Sequence, residues 1–207
     1  MVRPVINGRI HVDEKVVHVG KEKGYDLNAI DGRTKYLLAH LYVRKRTFRK
    51  CVEFLRQIKR TCYEQMLAVY NRERRKPVKQ RRLVTFVCDG FENYRNAFSK
   101  LFYNVCRLVF GVPIACRKYG LEHNNNPIER YNGDIKDRIK TMRHFGSHDG
   151  ACAFLDLRRT IHNFVNPHMG LKGKTPAEAA GIDLGLGRSK LLNLMRIFGK
   201  KKHHSLR

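Results

Sequence analysis

Residues 83–88 read LVTFVC, an apolar run that stops at Asp89-Gly90. The run is short for a helix and does not alternate. It suits a strand covered on both faces, with a polar residue at its carboxyl end. A sheet with such a strand at its centre needs helices above and below, so this segment selects an α/β arrangement.

The neighbouring segments supply the other layers. Residues 9–19 (RIHVDEKVVHV) alternate and are rich in β-branched side chains, residues 25–30 follow across a Gly-containing turn, and Asp31-Gly32 is a hairpin signal ahead of residues 35–43. These three predict antiparallel strands joined by short turns. Thr47 caps a predicted helix to about residue 69, with Cys51, Phe54, Leu55, Ile58 and Cys62 at helical spacing. A helix over 93–106 and a short strand over 109–117 come next. Asn126 and Pro127 then open a helix, and Ser147 caps another with Ala151, Phe154, Leu155, Ile161 and Val165 as its stripe. Residues 172–186 are Gly-rich around a short helix at 175–180 (TPAEAA), and the basic end, 200–207, is expected to be disordered. The order β-β-β-α-β-α-β-α-α describes a mixed five-stranded sheet flanked by helices.

Charge narrows the partner. Forty-three Lys and Arg against 18 Asp and Glu leave a formal net charge of +25. A domain that basic repels itself unless a polyanion is near, and phosphate neutralisation makes nucleic acid the expected partner. The segment 71–82 (NRERRKPVKQRR) reads as an exposed connector, either a solvated loop or a contact to the DNA backbone. No stretch approaches the roughly 20 apolar residues of a membrane span. The six cysteines stand singly among apolar residues without zinc-ligand spacing, which implies buried thiols in a reducing cytoplasm. Five histidines (His123, His144, His148, His162, His168) lack any fixed pairing and are left out of the site.

Three carboxylates stand out by placement. Asp13 lies inside the first predicted strand, Asp89 ends the buried one, and Glu129 lies in the first turn of a helix after three asparagines. Each has an ordinary role too: Asp before Gly is a turn residue, and an acid in a first helical turn complements the helix dipole. If the first and fourth strands pair, Asp13 and Asp89 become neighbours, and Glu129 can face them. Three converging carboxylates repel one another without a counter-cation. Hard divalent ions such as Mg²⁺ suit such a set, and two of them serve in-line phosphoryl displacement.

With these segments in view, the chain resembles the DDE transposases of bacterial and archaeal insertion sequences, a retroviral-integrase-like group with the ribonuclease-H-like fold. The resemblance runs from about residue 10 to residue 182, through VDEKVVHVGKEKGYDLNAID, RTFRKCVEFL, VTFVCDGFENYRNAF, HNNNPIERYNGDIKDRIKTMRHF and GKTPAEAAGI. Its most specific feature is an Asn shortly before the Glu and a Lys seven residues after it, here Lys136 after Glu129. That spacing is two helical turns and keeps both on one face.

The resemblance implies that Asp13, Asp89 and Glu129 bind two Mg²⁺ (or Mn²⁺) ions and that the reaction is hydrolysis at transposon ends followed by strand transfer into target DNA. It implies that Lys136 meets a DNA phosphate, with Lys140 extending the same face, and that Arg130 and Arg138 act as phosphate clamps or salt-bridge partners. Asp31 is read as a turn residue. A homodimer or higher multimer on DNA, in the prokaryotic cytoplasm at the nucleoid, follows from the same resemblance. Residues 1–182 form the expected core and 183–207 a basic tail. With twelve residues ahead of Asp13, an N-terminal DNA-binding module is expected to be absent. An inactive remnant that binds DNA through charge alone is the alternative reading.

Overall fold

A computed structural model of the chain describes residues 3–110 and 126–204. Strands β1 (Arg9–Val19), β2 (Glu22–Asp31) and β3 (Leu37–Val43) form an antiparallel meander, followed by helix α1 (Phe48–Glu73). Then come β4 (Thr85–Cys88), α2 (Glu92–Phe102), β5 (Arg107–Phe110), α3 (Asn126–Thr141), α4 (His148–Phe164), the short α5 (Pro176–Ala179) and α6 (Lys190–His204). The sheet order is β3-β2-β1-β4-β5, with β4 parallel to both β1 and β5. The expected mixed five-stranded sheet is therefore present, and β1 and β4 do pair.

Alternation along β1 sends side chains to two cores. Ile10 and Val12 pack with Phe54, Leu55, Ile58, Phe86 and Phe98 on the α1–α2 side, whereas Val17 and Val19 pack with Ile128, Ile135, Ile139 and Leu155 on the α3–α4 side. Helices thus cover both faces, and Phe86, Val87 and Cys88 of β4 are buried as a doubly covered strand requires. The Thr47 side chain accepts a hydrogen bond from Lys50 N at the start of α1, and Ser147 accepts one from Gly150 N at the start of α4. Such caps contribute about 1 kcal/mol each.

Asp31 is a turn residue, as expected. It is fully buried, and its Oδ1 accepts from Arg33 N, Thr34 N and Thr34 Oγ1 while Oδ2 accepts from Asn7 N. This carboxylate organises the whole turn and Lys35 adopts φ 58°, so β3 begins at Leu37 rather than at 35. Asn163 of α4 secures the edge strand: Leu37 N donates to its Oδ1 at 2.8 Å, and its Nδ2 donates to Leu37 O at 3.1 Å.

Other boundaries differ from the sequence reading. Helix α2 stops at Phe102, four residues short of 106, with Asn104 at φ 62°, and β5 begins at once at Arg107. The remainder of the strand expected over 109–117, from residue 111 on, lies outside the described residues. The segment expected as a disordered tail is helical through His204, in α6. Leu194 and the preceding Leu186 are buried, so this end packs onto the domain, although Leu192, Met195 and Phe198 of α6 are exposed. Four of the five described cysteines are buried, and burial pushes the Cys62, Cys88 and Cys106 thiols up to about 12.

The basic connector is exposed except at Arg81, which is half-buried, and at Glu73, which is buried and accepts from Lys76 Nζ and Arg82 N. One acid therefore holds the loop while Arg72, Arg74, Arg75 and Lys79 face solvent. Among the described residues, no helix is long and apolar enough to cross a membrane.

Candidate metal centre

The β1–β4 pairing sets the site. Arg9 pairs with Thr85 and His11 with Val87, an offset of 76 positions, and Asp89 stands 76 positions beyond Asp13. The ladder ends at His11–Val87, so Asp13 and Asp89 sit just past it, where the edge of β1 is open to side chains. Both carboxylates are half-buried, and Asp89 Oδ1 accepts from Phe91 N at 3.2 Å.

Asp13, Glu14 and Asp89 each place a carboxylate oxygen within 4.8 Å of the other two. Glu14 was not among the sequence candidates, and as the residue after Asp13 it belongs to the opposite face of the strand. The open edge of β1 lets the two side chains converge. Glu129 begins α3 and is exposed, outside this group of three. Its charge nevertheless acts on Asp13.

Asp13 is pushed up to about 7, first by burial and then by the neighbouring charge of Asp89, with a smaller push from Glu129. A hydrogen bond from Asn132 and the charge of Lys15 act the other way. Glu14 shows the same shortage of positive charge. Its Oε1 pairs with Arg46, but its Oε2 is buried without a partner among the described residues. Oxygen-only donors, one protonated near neutrality and one with an orphaned lone pair, fit a hard divalent cation.

A polar row extends from this cluster across the sheet. Asp13 lies opposite Asn28 on β2, and Asn28 lies opposite His40 on β3. Asn132 Nδ2 donates to Asp13 Oδ2 at 2.9 Å, Asn28 Nδ2 donates to Asp26 Oδ2 at 2.9 Å, and His40 bridges Asp26 at 2.5 Å and Asp156 at 3.3 Å. Asp26, Asn28 and His40 are buried. Hydrogen bonds from Asn132 and Asn28 and the close His40–Asp26 contact hold this row, although Asn28 Oδ1 has no hydrogen-bond partner among the described residues.

The cationic candidates divide. On α3, Ile128, Tyr131, Ile135 and Ile139 are buried, while Glu129 and Lys136 are exposed, with Asn132 on the same stripe between them. Lys136 depresses Lys15, second to burial, and Lys15 is the residue whose charge reaches Asp13. Lys136 is therefore on the side of the acidic cluster. Arg130 instead lines a cavity of about 300 Å³ with Lys35, Asp134, His162 and His168. Arg138 and Lys140 are exposed in the last turn of α3, where cations also complement the helix dipole.

Three of the histidines set aside from the site have local partners. His148 joins Tyr42 and Glu22, His162 Nε2 meets Lys35 O at 2.8 Å, and His144 packs edge-on against His18. His168 lines the Arg130 cavity, and His123 lies outside the described residues. Sequence reasoning missed Asn132, although it sits three residues after Glu129 on the stripe leading to Lys136. Asp26, Asn28 and His40 carried no signal beyond polar residues in predicted strands.

The same architecture occurs in viral integrases. A chain of a simian T-cell lymphotropic virus intasome superposes with a TM-score of 0.54 at 12% identity, over 89% of this chain and 60% of that one. The catalytic core of HTLV-2 integrase, solved with magnesium as a dimeric form, gives 0.50 at 12% identity over 85% and 97%. Its trimeric form gives 0.50 at 14% identity over the same shares. This chain thus spans about three-fifths of the intasome chain and nearly the whole of the isolated cores. No curated protein matches the chain. A family model for a DDE domain matches residues 7–168, a stretch that takes in Asp13, Asp89 and Glu129, and the chain belongs to this family of DDE transposase domains.

Proposed function

We propose that this chain is the catalytic domain of a DNA transposase that cleaves DNA and joins strands, with Asp13, Asp89 and Glu129 as its metal-binding carboxylates. The observation that carries the reading is the meeting of Asp13 and Asp89 just past the β1–β4 ladder, in a chain of net charge +25. Mg²⁺ or Mn²⁺, two ions in the full reading, supplies activation of the attacking oxygen and stabilisation of the leaving oxygen in an in-line displacement.

The chain's own residues do the rest. Asp13, within β1, and Asp89, the first residue after β4, hold the centre just past the end of the β1–β4 ladder, so the pairing of the two strands sets their separation. Glu129, exposed on the first turn of α3, closes the site from the helix side. Asn132 keeps Asp13 oriented through its 2.9 Å hydrogen bond. Lys136, and Arg138 and Lys140 further along α3, offer cations to DNA phosphates. Arg130 takes the same role only for a strand that passes the cavity on the other flank. The DNA partners would be transposon ends and target. A dimer or higher multimer would assemble on them; the HTLV-2 integrase core, with magnesium, is solved in a dimeric and a trimeric form.

The test is nicking of supercoiled plasmid by the purified chain in Mn²⁺ or Mg²⁺. The wild type should nick, and Asp89→Asn should lower the rate by at least a hundredfold while still binding DNA. Equal nicking by the two proteins would refute the assignment. Metal-independent DNA binding with no nicking by the wild type would favour an inactive remnant.

A further inference from the structure

We propose that Glu14 supplies a further carboxylate oxygen to the divalent ion held by Asp13 and Asp89, while Arg46 neutralises its other oxygen and competes with the ion for its charge. This inference rests on the Asp13–Asp89 metal reading above and adds a ligand to it. Three observations support it. The Glu14 oxygen lies within 4.8 Å of oxygens of both aspartates. The Glu14 side chain is only 7% exposed, yet its Oε2 has no hydrogen-bond partner among the described residues. And its Oε1 pairs with Arg46, whose guanidinium lies over the rings of Tyr25 at 4.7 Å and Phe91 at 4.6 Å.

The geometry suits one ion. Oxygens in an octahedral shell at about 2.1 Å from the metal are about 3 Å apart along an edge and about 4.2 Å apart across it. A 4.8 Å cluster reaches that shell with small side-chain rotations. The charges also balance. Within the group of Asp13, Glu14, Asp89 and Arg46, three ionised carboxylates less one guanidinium leave two negative charges, which one shared divalent ion neutralises, and the charge of Glu129, outside this group, is left for a second ion. Without the ion, a buried carboxylate oxygen has lost its water and gained nothing. Arg46 is held by the aromatic rings and by Asn93 Nδ2, which donates to its backbone oxygen at 3.0 Å. It therefore neutralises Oε1, draws charge away from a bound ion, and leaves Oε2 for the metal.

The alternative is that Glu14 only anchors Arg46 and the β3–α1 connection. Mn²⁺ titration of the full chain, followed by the spin resonance of free Mn²⁺, separates the two. The proteins are wild type, Glu14→Gln, Arg46→Met and Asp89→Asn, with melting curves recorded with and without metal. The proposal expects Glu14→Gln to weaken Mn²⁺ binding by roughly tenfold or more. It expects Arg46→Met to bind as tightly as wild type or tighter, and to gain a larger melting shift from Mn²⁺ than wild type does. Wild-type affinity in Glu14→Gln, or equal losses in Glu14→Gln and Arg46→Met, would overturn it. If Glu14→Gln does not fold, Arg46→Met decides: retained or tighter binding supports the ligand role, and weakened binding overturns it. No uptake by wild type, or unchanged uptake by Asp89→Asn, would instead remove the underlying Asp13–Asp89 reading and this proposal with it.

Discussion

Asn132 Nδ2 donates to Asp13 Oδ2 at 2.9 Å, tying the third residue after Glu129 on α3 to the carboxylate at the centre of β1. The bond favours the charged form of Asp13, against burial and the charges of Asp89 and Glu129. Replacing Asn132 with Leu keeps the branching at Cγ and removes the donor. Asn132→Leu should weaken Mn²⁺ binding about tenfold and move the pH midpoint of binding upward. A pH series of Mn²⁺ titrations reads both, and an unchanged midpoint would deny Asn132 this role.

Asp13 also sets a pH dependence of stability. Its folded-state pKa, about 7, is above its ordinary value of 3.8. The folded chain therefore holds this proton more tightly than the unfolded chain does. The contribution is fully present below about 4 and is lost as pH rises toward and through 7. Asp13→Asn removes the effect. Metal-free melting temperatures of wild type should fall relative to Asp13→Asn between pH 5 and pH 8. A relative fall of about 2–4 °C corresponds to about 1 kcal/mol in a chain of this size. A constant difference across that range would contradict the raised carboxyl.

Lys136 should act on DNA as a phosphate contact. Each such contact contributes roughly 0.9 to the slope of log affinity against log salt for duplex DNA. Lys136→Ala should lower that slope by about one, with similar weakening on unrelated sequences. Arg130→Ala, on the cavity flank, should change it less. Fluorescence anisotropy over a salt series measures the slopes, and an unaltered slope in Lys136→Ala would place DNA elsewhere.

Asn163 tests the fold rather than the chemistry. Its side chain satisfies both backbone groups of Leu37 at the edge of the sheet, and it is buried. Asn163→Leu leaves a buried N–H and C=O unpaired, at about 1–3 kcal/mol each. Urea unfolding should show a loss of about 2–4 kcal/mol, and a loss below 0.5 kcal/mol would mean that another group replaces it.

Much of this architecture could be read from the chain because periodicity and turn chemistry act locally. The alternation of residues 9–19, the Asp31 turn, the Thr47 and Ser147 caps and the short TPAEAA helix are each specified from within a few residues. Asp89 was legible for the same reason, as the polar end of a doubly buried strand. What depended on tertiary contact was not legible. Glu14 reaches Asp13 and Asp89 only because the β1–β4 ladder stops short of them. The Asp26–Asn28–His40 row exists only once β1, β2 and β3 are in register. Helix α6 was hidden by the basic residues at its end, which concealed the pattern that buries Leu194. Arg130 and Lys136 looked equivalent in sequence, and the pitch of α3 sends them to different flanks.

The most direct test is calorimetric titration of the full chain with Mn²⁺, for wild type and Asp89→Asn, at a pH above 7 where Asp13 is ionised. A shared Asp13–Asp89 centre predicts a saturable binding heat in the wild type that is lost, or weakened at least a hundredfold, in Asp89→Asn. Equal binding by both proteins, or none by the folded wild type, would contradict it.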